Sequence, residues 1–498
     1  MNVNPITRLD YPDPDVIRVE DPYYMVSTTM HFMPGCEILQ SFDLVHWEHV
    51  TYVYETLDHT DAQQLKSGQN IYGQGMWAAS LRYHEGRFYI CFVANDTRKT
   101  YLYTSEKIDG PWKKQLIEGF YHDGSLLFDE DGRSYIVYGN DEIWITELNE
   151  DLTAPKKDGL HRLLVSDHKN PELGYEGSHI QKINGYYYIF LVHSLRDRWM
   201  RTEACFYSDS LEGEFTGGDV LCDDRGYCGQ GVAQGGIVDT PDGKWYAMLF
   251  QDSGAVGRIP ILLPVTWKDH FPVFGQNGHV PEEIEVHSTR PGYIYQPLVG
   301  SDDFCNGLLP RWQFNHDPDP RYYHLDALQG TYTITTREVC TELTQAVNTL
   351  TQRMSYPSCA AEVTVDASAL KEGDVAGLCA LQSCYAAVGI TKHHGKYEVL
   401  MLDKKEDGIL DMTEGTVVES HQMDFRLEAD FCNMKDEARC YYRVNKGDWL
   451  PIGTVHKLYF KLDHFTGCRF GLFCYAAEET GGSACFRDFK YYDVDEIS

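Results

Sequence analysis

The sequence predicts an all-β protein, a five-bladed β-propeller followed by a β-sandwich of the jelly-roll type. Three observations lead to this prediction. A turn followed by an aromatic pair recurs five times in the first 250 residues and is absent from the last 200. Few stretches show helical periodicity, so nearly the whole chain is expected to form strands. Alternating apolar segments of another pattern follow residue 300.

Each repeat contains a turn pair and ends in a tyrosine, and successive tyrosines are 46 to 65 residues apart. The repeats are "VEDPYY" (19–24), "HEGRFY" (84–89), "EDGRSY" (130–135), "INGYYY" (183–188) and "PDGKWY" (241–246). A loose period of about 40–60 residues made of hairpins is typical of propeller blades. Three further segments indicate the third and fourth strands of blades one, two and four. They are "SFDLVHW" (41–47), "SEKIDGPW" (105–112) and "SDSLEGEF" (208–215).

The blade pattern stops near residue 297, and a second domain is expected from there to the end. We therefore assign residues 1–297 to the propeller and residues 298–498 to the sandwich. Alternating segments in the second half predict strands of an antiparallel sandwich. They include "CAAEVTVDAS" (359–368), "KLYFKLD" (457–463) and "RFGLFCYAA" (469–477). The histidines of "KHHG" (392–395) are expected in an exposed turn.

The composition excludes some partners. The chain has 498 residues and a formal net charge of −32, so nucleic acid and anionic membranes would repel it. Aromatic residues make up 13% of the sequence. Their rings can stack on sugar rings, and they also pack well in large β-sheets, so this content is compatible with both explanations. Fifteen cysteines without regular spacing, and a start without signal-peptide features, predict a cytoplasmic protein with reduced thiols. A homo-oligomer is compatible with these features.

The functional residues are expected at the start of the strand that precedes each tyrosine. In a propeller this strand is the innermost one, so equivalent positions lie at one level around the central channel. Twelve residues before the tyrosines stand Trp77, Asp123, Glu176 and Gln234 in blades two to five, and Pro12, beside Asp13, in blade one. The sequence therefore predicts three carboxylates facing each other at one mouth of the channel.

Three converging carboxylates repel each other and lose hydration, so the arrangement is destabilising unless a ligand binds or one group stays protonated. Two carboxyl groups across a sugar ring, one donating a proton and one accepting, are the minimal machinery of glycoside hydrolysis. Each acid alone would more simply be a turn residue, and three together would also suit a calcium ion. The shared register favours a catalytic site, and calcium stays an alternative.

Residues 1–295 resemble the five-bladed propeller of glycoside hydrolase family 43. The motifs that carry the resemblance are "YPDPD" (11–15), "MWAAS" (76–80), "HDGS" (122–125), "YEGSH" (175–179) and "GAVGRIP" (254–260). The resemblance implies an inverting enzyme with Asp13 as general base and Glu176 as general acid, the latter oriented and tuned by Asp123. Asp15 shares a strand face with Asp13, but the family pattern selects the first aspartate. Inversion predicts carboxyl groups of Asp13 and Glu176 about 6.5–9.5 Å apart.

Four further residues are predicted to bind the substrate. The resemblance implies that Trp77 forms an aromatic wall and that Arg258 reaches the sugar, whereas a core tryptophan and a surface ion pair are the simpler alternatives. His31, in "STTMHFMPG" (27–35), and Gln234 complete the set. Many family members have "WAPD" where this chain has "WAAS", and many have a calcium-contacting histidine in place of Gln234. No cofactor is therefore expected to be required, with calcium in the channel as the alternative.

The predicted activity is exo-acting release of terminal α-L-arabinofuranose, or of β-D-xylose, from arabinose- or xylose-containing cell-wall oligosaccharides. "STTMHFMPG", in place of a more xylosidase-like "STFEWFPG", favours the arabinofuranoside. The alternatives are a main activity as β-xylosidase, an endo-acting arabinanase, and a non-catalytic sugar-binding propeller. Through "WQFNHDPDPRYYHL" (312–325) the second half resembles the concanavalin-A-like domain of family 43 β-xylosidases and arabinofuranosidases, which can lend a loop to the pocket rim.

Overall fold

The computed structural model describes residues 2–413 and 415–493, and its regular structure is almost entirely β-strand. Within these residues there is no α-helix, and the four short 3₁₀ turns are Lys66–Gly68, Gly254–Val256, Leu343–Gln345 and Cys432–Met434. Nothing in the described part of the chain is a helix long and apolar enough to span a membrane. The prediction of an all-β fold, a five-bladed propeller with a sandwich, is confirmed.

The first domain consists of five four-stranded antiparallel sheets. Its strands are β1 (Asn2–Val3), β2 (Asp15–Arg18), β3 (Tyr23–Val26), β4 (Phe32–Met33), β5 (Gly35–Ser41), β6 (Glu48–Tyr54), β7 (Met76–His84), β8 (Arg87–Ala94), β9 (Lys99–Ser105), β10 (Lys113–Ile117), β11 (Ser125–Phe128), β12 (Ser134–Asn140), β13 (Glu142–Leu148), β14 (His161–Ser166), β15 (Glu176–Ile183), β16 (Tyr186–Ser194), β17 (Arg201–Ser208), β18 (Thr216–Leu221), β19 (Val232–Asp239), β20 (Trp245–Asp252), β21 (Arg258–Lys268), β22 (Phe271–Phe274) and β23 (Glu283–Ile284). The blades are β2-β3-β5-β6, β7 to β10, β11 to β14, β15 to β18 and β19 to β22.

The first strand of each blade lies at the channel, as the sequence predicts. Strands β2, β7, β11, β15 and β19 contact one another in a closed ring. The circle is secured where β1 pairs with β23 and where Asn4 hydrogen-bonds the backbone of Leu262 in blade five, at 2.7 and 3.0 Å. The segments predicted as third and fourth strands of blades one, two and four fall at the end of the third strand and in the turn to the fourth.

The repeated tyrosines are structural. Tyr24, Tyr135, Tyr188 and Tyr246 are at most 9% exposed, and each lies on the second strand of its blade. Each of the four belongs to an apolar cluster shared between two neighbouring blades. Their burial between sheets accounts for the recurrence of an aromatic residue at this position, since large apolar surfaces removed from water drive blade packing.

The second domain is a sandwich of two antiparallel sheets, one of nine strands and one of seven. Its strands are β24 (Gln313–Asn315), β25 (Tyr323–Asp326), β26 (Thr331–Thr335), β27 (Leu350–Arg353), β28 (Ser358–Asp366), β29 (Val375–Leu381), β30 (Ala386–His393), β31 (Lys396–Lys404), β32 (Leu410–Met412), β33 (Thr416–Val418), β34 (Gln422–Asp430), β35 (Glu437–Val444), β36 (Leu450–Lys457), β37 (Arg469–Tyr475) and β38 (Ser483–Asp493). The predicted boundary at 297–298 lies between β23 and β24, and the predicted "KHHG" turn joins β30 to β31.

The two domains share structure at their junction. Strand β4 of the first domain pairs with β24 and so extends the nine-stranded sheet. Arg353 forms a buried ion pair of 2.8 Å with Glu37. The carboxylate of Asp10 accepts the backbone N–H of Arg258 in blade five at 2.7 Å and that of Gly467 in the sandwich at 2.8 Å. The sandwich is therefore fixed to the propeller beside Arg258.

The prediction of a strand at "KLYFKLD" (457–463) is wrong. Strand β36 ends at Lys457, and the chain continues as a loop up to β37. The alternating apolar positions arise because Leu458 is buried in the sandwich core while Phe460 packs against Phe465, at 6.0 Å between ring centroids. The apolar side chains thus serve two different surfaces, which a strand pattern cannot distinguish from one sheet face.

Candidate active site

The three predicted acids lie at the starts of inner strands, in irregular backbone. Asp13 and Asp123 each precede their strand by two residues and have left-handed φ angles of 53° and 47°, and Glu176 is the first residue of β15. A bulge follows Glu176 in the pairing of β15 with β16. Left-handed non-glycine residues and bulges are costly, and they are found preferentially where a side chain must be aimed at a functional site.

His122 lies between the acids of blades three and four. Its Nε2 atom is 3.5 Å from Oδ2 of Asp123 and 3.5 Å from Oε2 of Glu176. Burial alone would lower the pKa of His122, but Asp123, Glu176 and Asp13 outweigh it and raise it to about 9. Burial, opposed by His122 and assisted by Glu176 and Asp13, raises the pKa of Asp123 to about 6. One cation is thus within electrostatic reach of all three acids.

Asp13 is held by two donors. Its Oδ2 atom accepts the hydroxyl of Thr28 at 2.6 Å, and its Oδ1 atom accepts Nη1 of Arg258 at 2.8 Å. The side chain of Arg258 is 3% exposed, and its Nε and Nη2 atoms have no hydrogen-bond partner among the described residues. An unpaired buried guanidinium donor is costly, so these two atoms are suited to bind the hydroxyl groups of a ligand.

Glu176 is more open than the other two acids. Its side chain is 18% exposed, against 6% for Asp123. Asn140 donates its amide to Oε2 of Glu176 at 3.0 Å, and the backbone N–H of Gly177 donates to Oδ2 of Asp123 at 2.9 Å. Asp123 therefore fixes the backbone that carries Glu176, which leaves the Glu176 carboxyl group accessible to a ligand.

The aromatic side of the site is built by both domains. Trp77 lies 5.6 Å from the ring of His122 and 6.1 Å from that of Phe465, between centroids. Phe465 comes from the loop between β36 and β37 of the sandwich and lies 4.4 Å from the guanidinium carbon of Arg258. The structure thus brings Trp77 and Arg258 together with Asp13, and it adds a phenylalanine from the second domain.

Gln234 lies next to the turn that carries Glu176. Its backbone N–H donates to Oε2 of Glu203 at 2.7 Å, and burial raises the pKa of Glu203 well above its usual range. A Cβ atom at Gly177 would stand 2.7 Å from Cγ of Gln234, so only glycine permits this approach. The side chain of Gln234 therefore packs on the backbone beside Glu176.

His31 is fully buried and belongs to an aromatic cluster at the domain junction. Its ring lies 4.7 Å from Tyr72, 4.8 Å from His316 and 5.6 Å from His464. Burial, reinforced by the neighbouring histidines, lowers the pKa of His31 well below its usual range. The cluster packs behind the loop that presents Phe465, and contact of His31 with substrate stays a prediction.

Asp15, the competitor of Asp13, is fully buried and paired. It accepts Nη1 of Arg82 at 2.8 Å and the backbone N–H of Leu81 at 2.7 Å, and Nδ1 of His179 lies 3.1 Å away. Burial alone would raise the pKa of Asp15, but Arg82 and His179 lower it. Its oxygen atoms are already engaged inside the channel, which agrees with the choice of Asp13 as the reactive aspartate.

The channel residues do not fit a calcium ion, which takes six to eight oxygen ligands. Asp15, on inner strand β2, offers a carboxylate, but Arg82 and His179 already engage its oxygen atoms. Within the described residues one group has metal-ligand spacing: His122, Asp123 and Glu176 each offer an atom within 4.8 Å of the others. Glu176, the candidate acid, is itself one of these three residues, and His122 already places a positive charge beside it.

The twelve-residue register missed two residues of the site. His122 directly precedes Asp123, so the signal "HDGS" was available, but the register selects one position in each blade and passes over its neighbours. Phe465 belongs to the other domain, and no spacing along the chain connects it with Trp77.

Replacing His122 by Gln is expected to destabilise the protein most at low pH. The folded-state pKa of His122 is raised from 6.5 to about 9. The stabilisation is therefore fully present below the unfolded value and is lost as pH rises through the folded value. The check is the difference in Tm between wild type and His122→Gln at about pH 6 and about pH 10. The exposed His394→Gln is the control, and a difference that grows with pH would contradict the charge assignment.

Two family models match this chain. The family model for glycosyl hydrolases family 43 matches residues 3–272, and that for the beta xylosidase C-terminal concanavalin A-like domain matches residues 301–492. A bifunctional GH43-CE protein of Bacteroides eggerthii is 42% identical to this chain, and the two structures superpose with a TM-score of 0.92. The match covers 99% of this chain but only 63% of the length of that protein.

Two further relatives match along nearly the whole chain. A family 43 glycoside hydrolase, engineered in its active site to display both endo-xylanase and exo-arabinofuranosidase activity, is 27% identical with a TM-score of 0.86 and 99% of each chain covered. A beta-xylosidase of Formosa agariphila is 26% identical over 555 residues, which cover 99% of this chain and 89% of that protein.

Proposed function

This chain belongs to glycosyl hydrolases family 43, and on that basis we propose that it is an inverting, exo-acting α-L-arabinofuranosidase. As a member of the family it is a glycosidase of the xylosidase and arabinosidase group. One observation carries the proposal of an inverting, exo-acting enzyme. Asp13 is paired with Arg258, whose Nε and Nη2 atoms have no partner among the described residues, and the carboxyl group of Glu176 is accessible.

Asp13 acts as the general base. The hydroxyl of Thr28 and the guanidinium of Arg258 hold its carboxylate in one orientation. Each oxygen accepts one of these two bonds and keeps a lone pair for a water molecule. The water loses its proton to Asp13 while its oxygen attacks the anomeric carbon, in a single displacement that inverts the configuration.

Glu176 acts as the general acid and gives its proton to the departing glycosidic oxygen. The amide of Asn140 fixes one carboxyl oxygen, and Asp123 fixes the following peptide N–H. The proton donor thus keeps its position while the opposite carboxylate activates water. His122 stabilises the negative charge left on Glu176 when its proton has been transferred.

The terminal sugar lies against Trp77 and beside Arg258, whose guanidinium is covered by Phe465 at 4.4 Å. Nε and Nη2 of Arg258 are free to donate to hydroxyl groups, and the faces of Trp77 and Phe465 suit the apolar side of a sugar ring. Because Phe465 extends from the sandwich over Arg258, the sugar end of the site is covered on that side. This cover supports exo action on a chain end rather than the endo-acting alternative.

Arabinofuranose and β-xylose present similar hydroxyl positions, so a misfit of one methylene-sized group changes selectivity by only about 1–3 kcal/mol. The Formosa relative carries the name beta-xylosidase, which keeps β-xyloside hydrolysis as the second candidate. The deciding assay compares kcat/KM on 4-nitrophenyl α-L-arabinofuranoside and 4-nitrophenyl β-D-xyloside. Faster turnover of the xyloside would replace the first candidate by the second. Binding of oligosaccharide without hydrolysis of either substrate would instead indicate a non-catalytic propeller.

Removal of divalent cations is expected to change neither activity nor Tm. Arg82 and His179 already balance Asp15 in the channel, and His122 supplies the positive charge between Asp123 and Glu176. The check is kcat/KM and Tm before and after dialysis against a chelator. Loss of activity that calcium restores would contradict the proposal that the propeller works without a metal.

A further inference from the structure

Guanidinium groups and aromatic rings alternate from the covered to the open side of the site. The guanidinium carbon of Arg258 lies 4.4 Å from the centroid of Phe465 and 5.2 Å from that of Phe250. On the far side of Phe250, the guanidinium carbon of Arg201 lies 5.2 Å from the centroid of Phe250 and 5.3 Å from that of Trp199. All four distances are within the range of cation–π attraction, about 6 Å.

The series ends in an exposed tryptophan. Phe250 is 0% exposed, whereas Trp199 is 46% exposed. Trp199 lies in the loop that joins β16 to β17, and Ser194 and Arg201 are the last paired residues before this loop. Glu176 pairs with Val192, which lies on β16 two residues before Ser194. This loop therefore stands at the same end of blade four as the proposed general acid.

Arg201 fixes the tryptophan relative to the acids. Its Nε atom forms an ion pair of 2.8 Å with Asp252, and its side chain is 9% exposed. Burial alone would lower the pKa of Arg201, but Asp252, Glu176 and Asp13 together raise it. The charge of Arg201 is therefore within electrostatic reach of both proposed catalytic acids, and the ring stacked on it lies at the mouth of their site.

We propose that Trp199 is a platform for the aglycone, the sugar residue on the leaving-group side of the bond that is cleaved. This inference rests on the proposed function, because it takes Glu176 as the group that protonates the leaving oxygen. The leaving sugar must then lie on the side of blade four, where Trp199 offers an exposed aromatic face. Trp77 and Phe465 line the other side, which holds the terminal sugar.

Preorganisation makes a half-exposed tryptophan useful here. Stacking of the indole on Arg201 holds it in place before substrate arrives, so less side-chain entropy is lost on binding. A ring face gives apolar contact without reading individual hydroxyl groups. The platform therefore favours substrates with any pyranose or furanose ring next to the scissile bond, and it contributes nothing to substrates whose leaving group is a single atom.

The test compares Trp199→Ala with wild type on two substrates of the same terminal sugar, an oligosaccharide and the glycosyl fluoride. We expect kcat/KM on the oligosaccharide to fall about tenfold, mostly through KM, as for the loss of one aromatic contact. On the fluoride it should be unchanged, as should inhibition by the free monosaccharide. Trp199→Phe should recover most of the loss. Trp449→Ala, an arginine-stacked tryptophan in the sandwich, is the matched control.

Equal losses on both substrates would overturn the inference, because they would mean that Trp199 only supports the pocket for the terminal sugar. Unchanged oligosaccharide kinetics in Trp199→Ala would overturn it as well, while leaving the proposed function intact. If wild type hydrolyses neither substrate, the proposed function fails, and the aglycone platform fails with it.

Discussion

Asp13→Asn is expected to lower kcat by at least about 10³-fold, because the variant cannot take a proton from the attacking water. The amide has nearly the shape of the carboxylate and can still accept from Arg258, so the pocket should keep its form. Removing the charge leaves the guanidinium of Arg258 buried without its ion-pair partner, and a lower Tm is expected as well. The measurements are kcat on the better 4-nitrophenyl glycoside and Tm.

Asp239→Asn is the matched control. Asp239 is the last residue of inner strand β19 and forms a 2.6 Å ion pair with Arg18, so it too is an arginine-paired aspartate on the channel. Its loss should cost stability without affecting kcat. A comparable loss of kcat in both variants would show that the effect of Asp13→Asn comes from disturbed folding rather than from a missing base.

Glu176→Gln is expected to show a loss that depends on the leaving group. Hydrolysis of an oligosaccharide needs protonation of a poor leaving oxygen, so kcat/KM should fall by about 10²- to 10⁴-fold. A 2,4-dinitrophenyl glycoside leaves without a proton and should be far less affected. Glutamine can still accept from Asn140, so the position of the side chain is preserved.

The control for this variant is Glu130→Gln, an exposed glutamate on the turn between β11 and β12 of the neighbouring blade. It should match wild type on both substrates. Equal losses in Glu176→Gln for the good and the poor leaving group would remove Glu176 from the role of acid, and it would then serve only to bind the sugar.

Much of the fold was predictable because its repeats are local. A hairpin turn and a tyrosine occur in each repeat, and four of the five tyrosines are buried between blades, so their spacing shows the number of blades and identifies the innermost strand. That register placed Asp123 and Glu176 where the structure has them, at the starts of β11 and β15. Asp13 stands one residue from the register position, Pro12, and both the register and the "YPDPD" motif selected it over Asp15.

The remaining features of the site depend on contacts between distant parts of the chain. Phe465 reaches Arg258 only because the sandwich packs on the propeller through Asp10 and its two backbone donors. The segment before it alternates like a strand, yet its apolar side chains face different surfaces. The pKa of His122 is raised by carboxylates on three blades, a property that becomes visible only when the blades are assembled.

The central claim is a single displacement between Asp13 and Glu176, and the anomeric configuration of the first product tests it most directly. Proton NMR during hydrolysis of an aryl α-L-arabinofuranoside should show β-L-arabinofuranose first, before mutarotation; with a β-xyloside, α-xylose should come first. Either result is inversion, as expected for carboxyl groups about 6.5–9.5 Å apart. Release of the anomer that retains the substrate's configuration would contradict the assignment of Asp13 as a base that activates water.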